Sequence, residues 1–197
     1  MGEPLPATFD PRAIGFLEAR LWHAYYARHW PRVALLTDRL VRGQVGLAPE
    51  SAIKAVRHAA RAAVAWAPAK NDPDKTRREL RAFYRIIAEA QGASFDSDAV
   101  GDAECDYWAI HREIVGQTDR VPLIASLARI PALLYGVPAA KFIGSATERE
   151  LAVRLVDLIT SGQQASTAGA RNEITGALVR SYELLRAEIA ESRAADV

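Results

Sequence analysis

The segment 104-ECDYWAIHRE-113 has the apolar period of an α-helix, and polar side chains stand on its apolar face. At about 100° per residue, one face of a helix here carries Glu104, Tyr107, Trp108, His111, Ile114 and Val115. The opposite face carries Asp102, Asp106 and Glu113. The segment therefore predicts an amphipathic helix whose solvent-facing acids are separate from an inward acid and histidine.

The same helical period recurs along the rest of the chain. Caps such as Asp10-Pro11 and Asp72-Pro73 precede apolar residues spaced three and four apart, and glycines such as Gly46 follow them. Helices are expected at about 10–30, 32–45, 49–67, 73–90, 97–116, 119–135, 147–162 and 166–192. No segment alternates apolar and polar residues over five or more positions, as a strand would. The sequence predicts an all-α fold, a single-domain helical bundle of about seven or eight helices.

Length and composition limit the class of protein. The 197 residues are half hydrophobic and a quarter charged, which suits one domain over 10–197, preceded by a flexible arm at 1–9 with two prolines and a glycine. The net charge of +1 favours neither nucleic acid nor a membrane surface, and no segment is apolar enough to span a bilayer. The single Cys105 excludes an intrachain disulfide. We expect a cytoplasmic protein that folds alone or as a homo-oligomer.

A second inward acid lies on the first helix. Glu18 shares a face with Ile14, Leu21, Trp22 and Tyr25, and the spacing Glu18-x3-Trp22-x2-Tyr25 recurs as Glu104-x3-Trp108-x2-His111. A carboxylate on an apolar face costs several kcal/mol unless it is hydrogen-bonded, paired or protonated. We therefore expect the first and fifth helices to pack antiparallel, with Glu18 near His111 and Tyr25 near Glu104.

These groups predict a small pocket for an apolar or aromatic molecule, in an enzyme or a binding protein. The expected proton-transfer residues are Glu18, Glu104, His111 and Tyr25. The expected ligand-binding residues are Trp22, Tyr26, Tyr107 and Trp108. A purely structural alternative stays open, in which Glu, His and Tyr satisfy one another and fix the register of two helices.

A metal- or haem-dependent helical-bundle oxidase or oxygenase is a second alternative. Bundles with di-iron centres typically use Glu-x-x-His, which does not occur in this chain. Glu104 and His111 are separated by seven positions, about 10.5 Å of helix rise, which is too far for one ion. A metal site would need Glu18, Glu79 or an acid of another helix beside His111, whereas a haem would need only His111. We assign no metal ligand, and the sequence identifies no cofactor.

A non-enzymatic interaction protein is the third alternative. The segment from Lys54 to Arg85 has nine basic residues against three acids, Asp72, Asp74 and Glu79. Such a basic stripe can follow a phosphate backbone, but no helix-turn-helix signature accompanies it. Nucleic-acid binding is therefore disfavoured, and the simpler interpretation is a solvated face balanced by acids such as Glu148, Glu150 and Asp157.

Overall fold

Residues 5–195 fold into eight α-helices and one short 3-10 helix, so the all-α prediction is confirmed. The computed structural model describes residues 5–195, and this range contains no β-strand. The helices are α1 Pro11–Tyr26, α2 Trp30–Val45, α3 Pro49–Trp66, α4 Pro73–Gln91, α5 Ser97–Ile114, α6 Val121–Tyr135, α7 Ile143–Thr160 and α8 Ala168–Ala195. The 3-10 helix Ala139–Phe142 precedes α7. No helix within 5–195 is long and apolar enough to cross a membrane.

The helices are arranged in a closed ring. Each helix packs mainly on its two neighbours in the chain, and α8 packs on α1 to close the circle. Contacts between neighbouring helices pair residues in opposite chain order, as in Arg77 with Asp106 and Arg85 with Asp98. The helices therefore alternate in direction, and α1, α3, α5 and α7 all end on the same side of the ring.

Proline and aspartate determine where several helices begin. Pro occupies the first turn of α1, α2, α3, α4 and α6, where its missing N–H costs no hydrogen bond. Asp10, Asp72 and Asp96 each accept a backbone N–H at a helix start. The predicted continuation of the first helix to about residue 30 is wrong, because Arg28 has φ 56° and the chain turns there into α2.

Two interfaces of the ring depend on glycine in a helix interior. A Cβ at Gly15 of α1 would lie 2.8 Å from the backbone nitrogen of Val179 in α8. A Cβ at Gly101 of α5 would lie 2.6 Å from the backbone nitrogen of Arg81 in α4. Only glycine allows backbones to approach so closely, so these two positions determine the spacing of the helix pairs.

The N-terminal segment, residues 5–9, packs against the C-terminal ends of α2 and α6 on one side of the ring. Leu5 and Phe9 are 1% and 2% exposed and belong to the largest core cluster, with Val45, Tyr135 and Val137. Arg193 donates to the carbonyl of Leu5 at 2.6 Å, and Arg186 donates to that of Phe9 at 3.3 Å. The prediction of a flexible arm is therefore wrong for residues 5–9, and its first four residues lie outside the described range.

An ionic ladder joins α4 to α5. Arg81 donates to both carboxylate oxygens of Asp102, at 2.6 and 2.7 Å, and Arg77 bridges Asp102 and Asp106. Arg85 pairs with Asp98 one turn along. Three arginines of the predicted basic stripe are thus neutralised by the outward acids of α5, and this halves the stripe's excess positive charge.

Candidate functional site

The ring encloses a cavity of about 620 Å³. Side chains from all eight helices line it, together with Leu5. All four tryptophans and all six tyrosines of the chain lie on its wall. These are Trp22, Tyr25, Tyr26, Trp30, Trp66, Tyr84, Tyr107, Trp108, Tyr135 and Tyr182. The aromatic residues are therefore concentrated around one internal space.

The cavity opens where the odd-numbered helices end. Tyr26 and Val115 are 43% and 49% exposed, and Arg28, Arg112 and Thr160 are also exposed wall residues. At the other end the wall consists of buried residues that include Leu5, Val45 and Tyr135. The cavity is thus a cup with one mouth.

All eight sequence-predicted site residues line this cavity, although their predicted pairing is wrong. They are Glu18, Trp22, Tyr25, Tyr26, Glu104, Tyr107, Trp108 and His111. Helices α1 and α5 are not packed neighbours, because α1 lies between α2 and α8 while α5 lies between α4 and α6. They run in the same direction on separate parts of the wall. Glu18 and Glu104 are nevertheless close enough for their carboxylates to interact electrostatically.

The deep end of the cavity holds an ion pair between α1 and α7. Arg149 donates to Oε1 of Glu18, and Glu18 is only 5% exposed. The guanidinium of Arg149 lies 5.7 Å from the Trp22 ring centre and 5.6 Å from that of Tyr182. Burial opposes the charge on Arg149, but the Glu18 carboxylate, Tyr182 and Tyr107 together outweigh this effect and raise the pKa of Arg149. This charged pair was not predicted.

Glu104 forms the second deep acid. It lies far inside the protein but keeps accessible surface, because it faces the cavity. Burial raises the pKa of Glu104, the nearby Glu18 carboxylate raises it further, and hydrogen bonds from Tyr84 and Trp108 partly oppose this rise. The Tyr84 hydroxyl donates to Oε2 of Glu104, and burial raises the pKa of Tyr84 well above its ordinary value. The predicted contact with Tyr25 is absent, since Tyr25 packs edge-on against Tyr26 and Trp30.

A histidine network lies nearer the mouth. Nε2 of His111 and Oδ1 of Asp157 are 2.8 Å apart, and the ring of His111 stacks on Tyr107 with 6.3 Å between centroids. Arg120 donates to the other oxygen of Asp157 at 3.2 Å and to Oε1 of Glu150 at 2.7 Å. The carboxylate that faces His111 is therefore itself fixed in position. Glu18 was expected near His111, and Asp157 is in that position instead.

The sequence analysis named Glu150 and Asp157 only as acids that balance the basic stripe and did not recognise them as buried. They are 5% and 9% exposed. The signal that could have placed them inside is their spacing, because Glu150, Val153 and Asp157 lie at i, i+3 and i+7 on one helix face. Arg120 had no such signal, since it precedes the first helical residue of α6.

The metal alternative finds an acid of another helix, Asp157, beside His111, but neither of the two acids that were named for it. Glu79 lies 2.7 Å from Nδ1 of His58, not beside His111, and Glu18 is paired with Arg149. Among residues 5–195, no group of three or more His, Cys, Asp or Glu side chains is arranged to hold a metal ion.

Burial raises the pKa of the Cys105 thiol, which lies near the carbonyl of Pro73 at 3.8 Å.

No protein-family model, curated protein or solved structure compared with this chain matches it. The chemistry of the cavity wall is therefore the basis for a functional conclusion.

Proposed function

We propose that the protein binds a small molecule with a largely apolar or aromatic body inside the central cavity. The observation that carries this proposal is the placement of every tryptophan and tyrosine of the chain on one cavity wall. Ligand pockets usually measure roughly 300–1,000 Å³ and combine apolar and aromatic walls with a few polar groups. The volume of about 620 Å³ and the open mouth agree with that description.

A variant that fills part of the cavity with a larger side chain tests this proposal. Ala63 lies on the cavity wall and is 8% exposed, whereas its neighbour Val64 is 52% exposed on the outer face of α3. The probe is 6-propionyl-2-(dimethylamino)naphthalene, a neutral aromatic compound whose fluorescence rises in apolar surroundings. We expect the wild type and Val64→Trp to bind one probe per chain, and Ala63→Trp to bind it at least about tenfold more weakly, a difference of about 1.4 kcal/mol. Equal binding by the two variants would place the probe elsewhere and refute the proposal.

A second candidate function is proton transfer to or from the bound molecule. It is supported by the chain of contacts from His111 to Asp157 to Arg120, which holds an imidazole in one orientation on the cavity wall. A histidine oriented by a fixed carboxylate is a common arrangement for general acid–base catalysis. In this proposal His111 moves the proton, Asp157 orients it, and Glu104 supplies a second proton-accepting group.

Exchange of a test compound's protons with deuterium from the solvent measures proton transfer even when the substrate is unknown. The methyl protons of 2-acetylnaphthalene in D₂O exchange only when a base removes them, so NMR follows the reaction directly. We expect wild-type protein to accelerate the exchange and His111→Gln to lose at least about 90% of that acceleration, because general bases typically contribute 10²–10⁴-fold. His58→Gln removes a histidine that does not line the cavity and is the control. Unchanged exchange in His111→Gln, with the fold intact, would rule out this role.

A further inference from the structure

One oxygen at the deep end of the cavity has no partner. Arg149 donates to Oε1 of Glu18, and Oε2 of the same carboxylate accepts no hydrogen bond from any residue within 5–195. Tyr182 is close enough to interact with this carboxylate but does not complete a hydrogen bond to Oε2. Glu18 is 5% exposed and lines the cavity, so water in bulk does not solvate it. Buried carboxylate oxygens are normally hydrogen-bonded, which indicates a place for a donor.

The charges around this oxygen favour a cation. Two carboxylates, Glu18 and Glu104, lie within electrostatic range of each other, and both interact with the single guanidinium of Arg149. Arg149 is already engaged by Glu18 and by the rings of Trp22 and Tyr182. A ligand carboxylate would meet two like charges, whereas a ligand cation would balance the excess acid.

The aromatic wall is also suited to a cation. Tyr84, Tyr107 and Trp108 stand around Glu104 on the cavity surface. Aromatic faces carry negative charge density and attract ammonium groups, most strongly where water is excluded. An apolar group alone would leave the free oxygen without a donor, and it would add no cation attraction to its contact with these rings.

We propose that the ligand of the cavity carries a protonated amine, whose N–H donates to Oε2 of Glu18 while its apolar or aromatic body lies against the tryptophan and tyrosine wall. This inference rests on the proposed binding function and specifies the chemical class of the ligand. The amine nitrogen would lie at the deep end, between Glu18 and Glu104, and the body would extend toward His111 and the mouth.

Four naphthalene compounds of nearly equal size separate the contribution of charge to the binding affinity from that of the aromatic body. They are 1-naphthylmethylamine, which is a cation at pH 7, the neutral 1-naphthalenemethanol, the anionic 1-naphthoate and the apolar 1-methylnaphthalene. Calorimetric titration of the wild-type protein gives each dissociation constant. We expect the amine to bind at least about tenfold tighter than the alcohol and the methyl compound, and the naphthoate to bind most weakly.

Two variants test whether Glu18 is responsible for the tighter binding of the amine. Glu18→Gln removes the negative charge, so we expect the amine's advantage over 1-methylnaphthalene to fall below about threefold. Glu148→Gln removes an acid of α7 that pairs with Arg180 and does not line the cavity, so it should leave the advantage intact. The four wild-type titrations decide the question even if Glu18→Gln does not fold.

The outcomes distinguish this inference from the proposed function. If all four compounds bind with similar affinity, the cavity binds small molecules and the amine inference is wrong. Tighter binding of the alcohol or the naphthoate than of the amine would also overturn it. If none of the four compounds binds, the proposed function fails, and the inference fails with it.

Discussion

Arg149 is the residue on which the deep end of the cavity most depends. It supplies the hydrogen bond and the charge that stabilise Glu18, and two aromatic rings pack against it. Its role follows from a general rule, that removal of one partner of a buried ion pair leaves an uncompensated charge.

We therefore expect Arg149→Met to lower the free energy of unfolding by about 3–5 kcal/mol, measured by urea denaturation at pH 7. Arg180→Met is the matched control, because Arg180 is 51% exposed in its pair with Glu148, so that this surface pair should contribute less than about 1 kcal/mol. Similar losses in the two variants would show that Glu18 does not depend on Arg149.

Glu104 should make the stability of the protein depend on pH, and the burial of its side chain determines the direction of that dependence. Because burial raises its pKa in the folded state, folding favours the protonated form. The wild type then loses stability as the pH rises above the ordinary value of 4.5 and through the raised pKa. Glutamine mimics the protonated form and escapes this loss.

We expect the melting temperature of Glu104→Gln, relative to the wild type, to be higher at pH 7 than at pH 4.5, by roughly 2–4 °C for each kcal/mol of difference. Asp102→Asn on the opposite face of α5 should show the reverse trend. Hydrogen bonds from Arg81, ahead of those from Arg77, lower the pKa of Asp102, so its contribution is present at pH 7 and is lost as the pH falls. The same trend in both variants would contradict the assigned surroundings.

At the scale of helices, backbone contact between α1 and α8 requires glycine at position 15. We expect Gly15→Ala to lower the free energy of unfolding by about 1–3 kcal/mol, because backbone atoms of Val179 must move to admit the methyl group. Chemical denaturation measures this loss.

Gly176→Ala in the middle of α8 is the control. There a Cβ meets only the terminal guanidinium nitrogen of the exposed Arg180, at 3.3 Å. We expect a gain of up to about 1 kcal/mol from helix propensity. A gain in both variants would mean that α1 and α8 are not in close contact.

The helices themselves were predictable, because their signals are local. Proline and aspartate mark the starts of α1 and α4, and the apolar period marks their extent. The inward face of α3 was not predictable in the same way. A hydrophobic pattern favours burial of Ile53 and Val64, but they are 60% and 52% exposed, while Ala52, Ala55 and Ala62 are fully buried. Alanines allow α3 to pack closely between α2 and α4, and a hydrophobic pattern alone does not reveal that preference.

The composition of the site was also partly predictable from the sequence. A polar residue on an apolar helix face must turn toward the interior, and this placed Glu18, Glu104 and His111 correctly on the cavity wall. Their partners depend on which helices are neighbours, which no local pattern encodes. Antiparallel contact of α1 with α5 was the simplest way to satisfy both acids, but in a closed ring the two helices stand apart. Arg149 and Asp157 satisfy the polar groups from a third helix.

At the scale of the whole molecule, the N-terminal segment closes one end of the ring. Leu5 is 1% exposed and lines the closed end of the cavity. We expect Leu5→Ala to cost about 2–4 kcal/mol of stability by leaving a void in the core. Leu35→Ala removes the same atoms from a side chain of α2 that is 51% exposed and should cost less than about 1 kcal/mol. Thermal unfolding of the two variants would contradict this account if their losses were equal.

The ring of helices makes a cup whose wall holds all the tryptophans and tyrosines, and we propose that this cup binds a ligand. A crystal structure of the protein grown with 6-propionyl-2-(dimethylamino)naphthalene tests this proposal. We predict one probe molecule per chain inside the ring, in contact with Trp22, Tyr107 and Trp108. A structure in which side chains fill the cavity and the probe lies on the outer surface, or is absent at saturating concentration, would contradict the proposal.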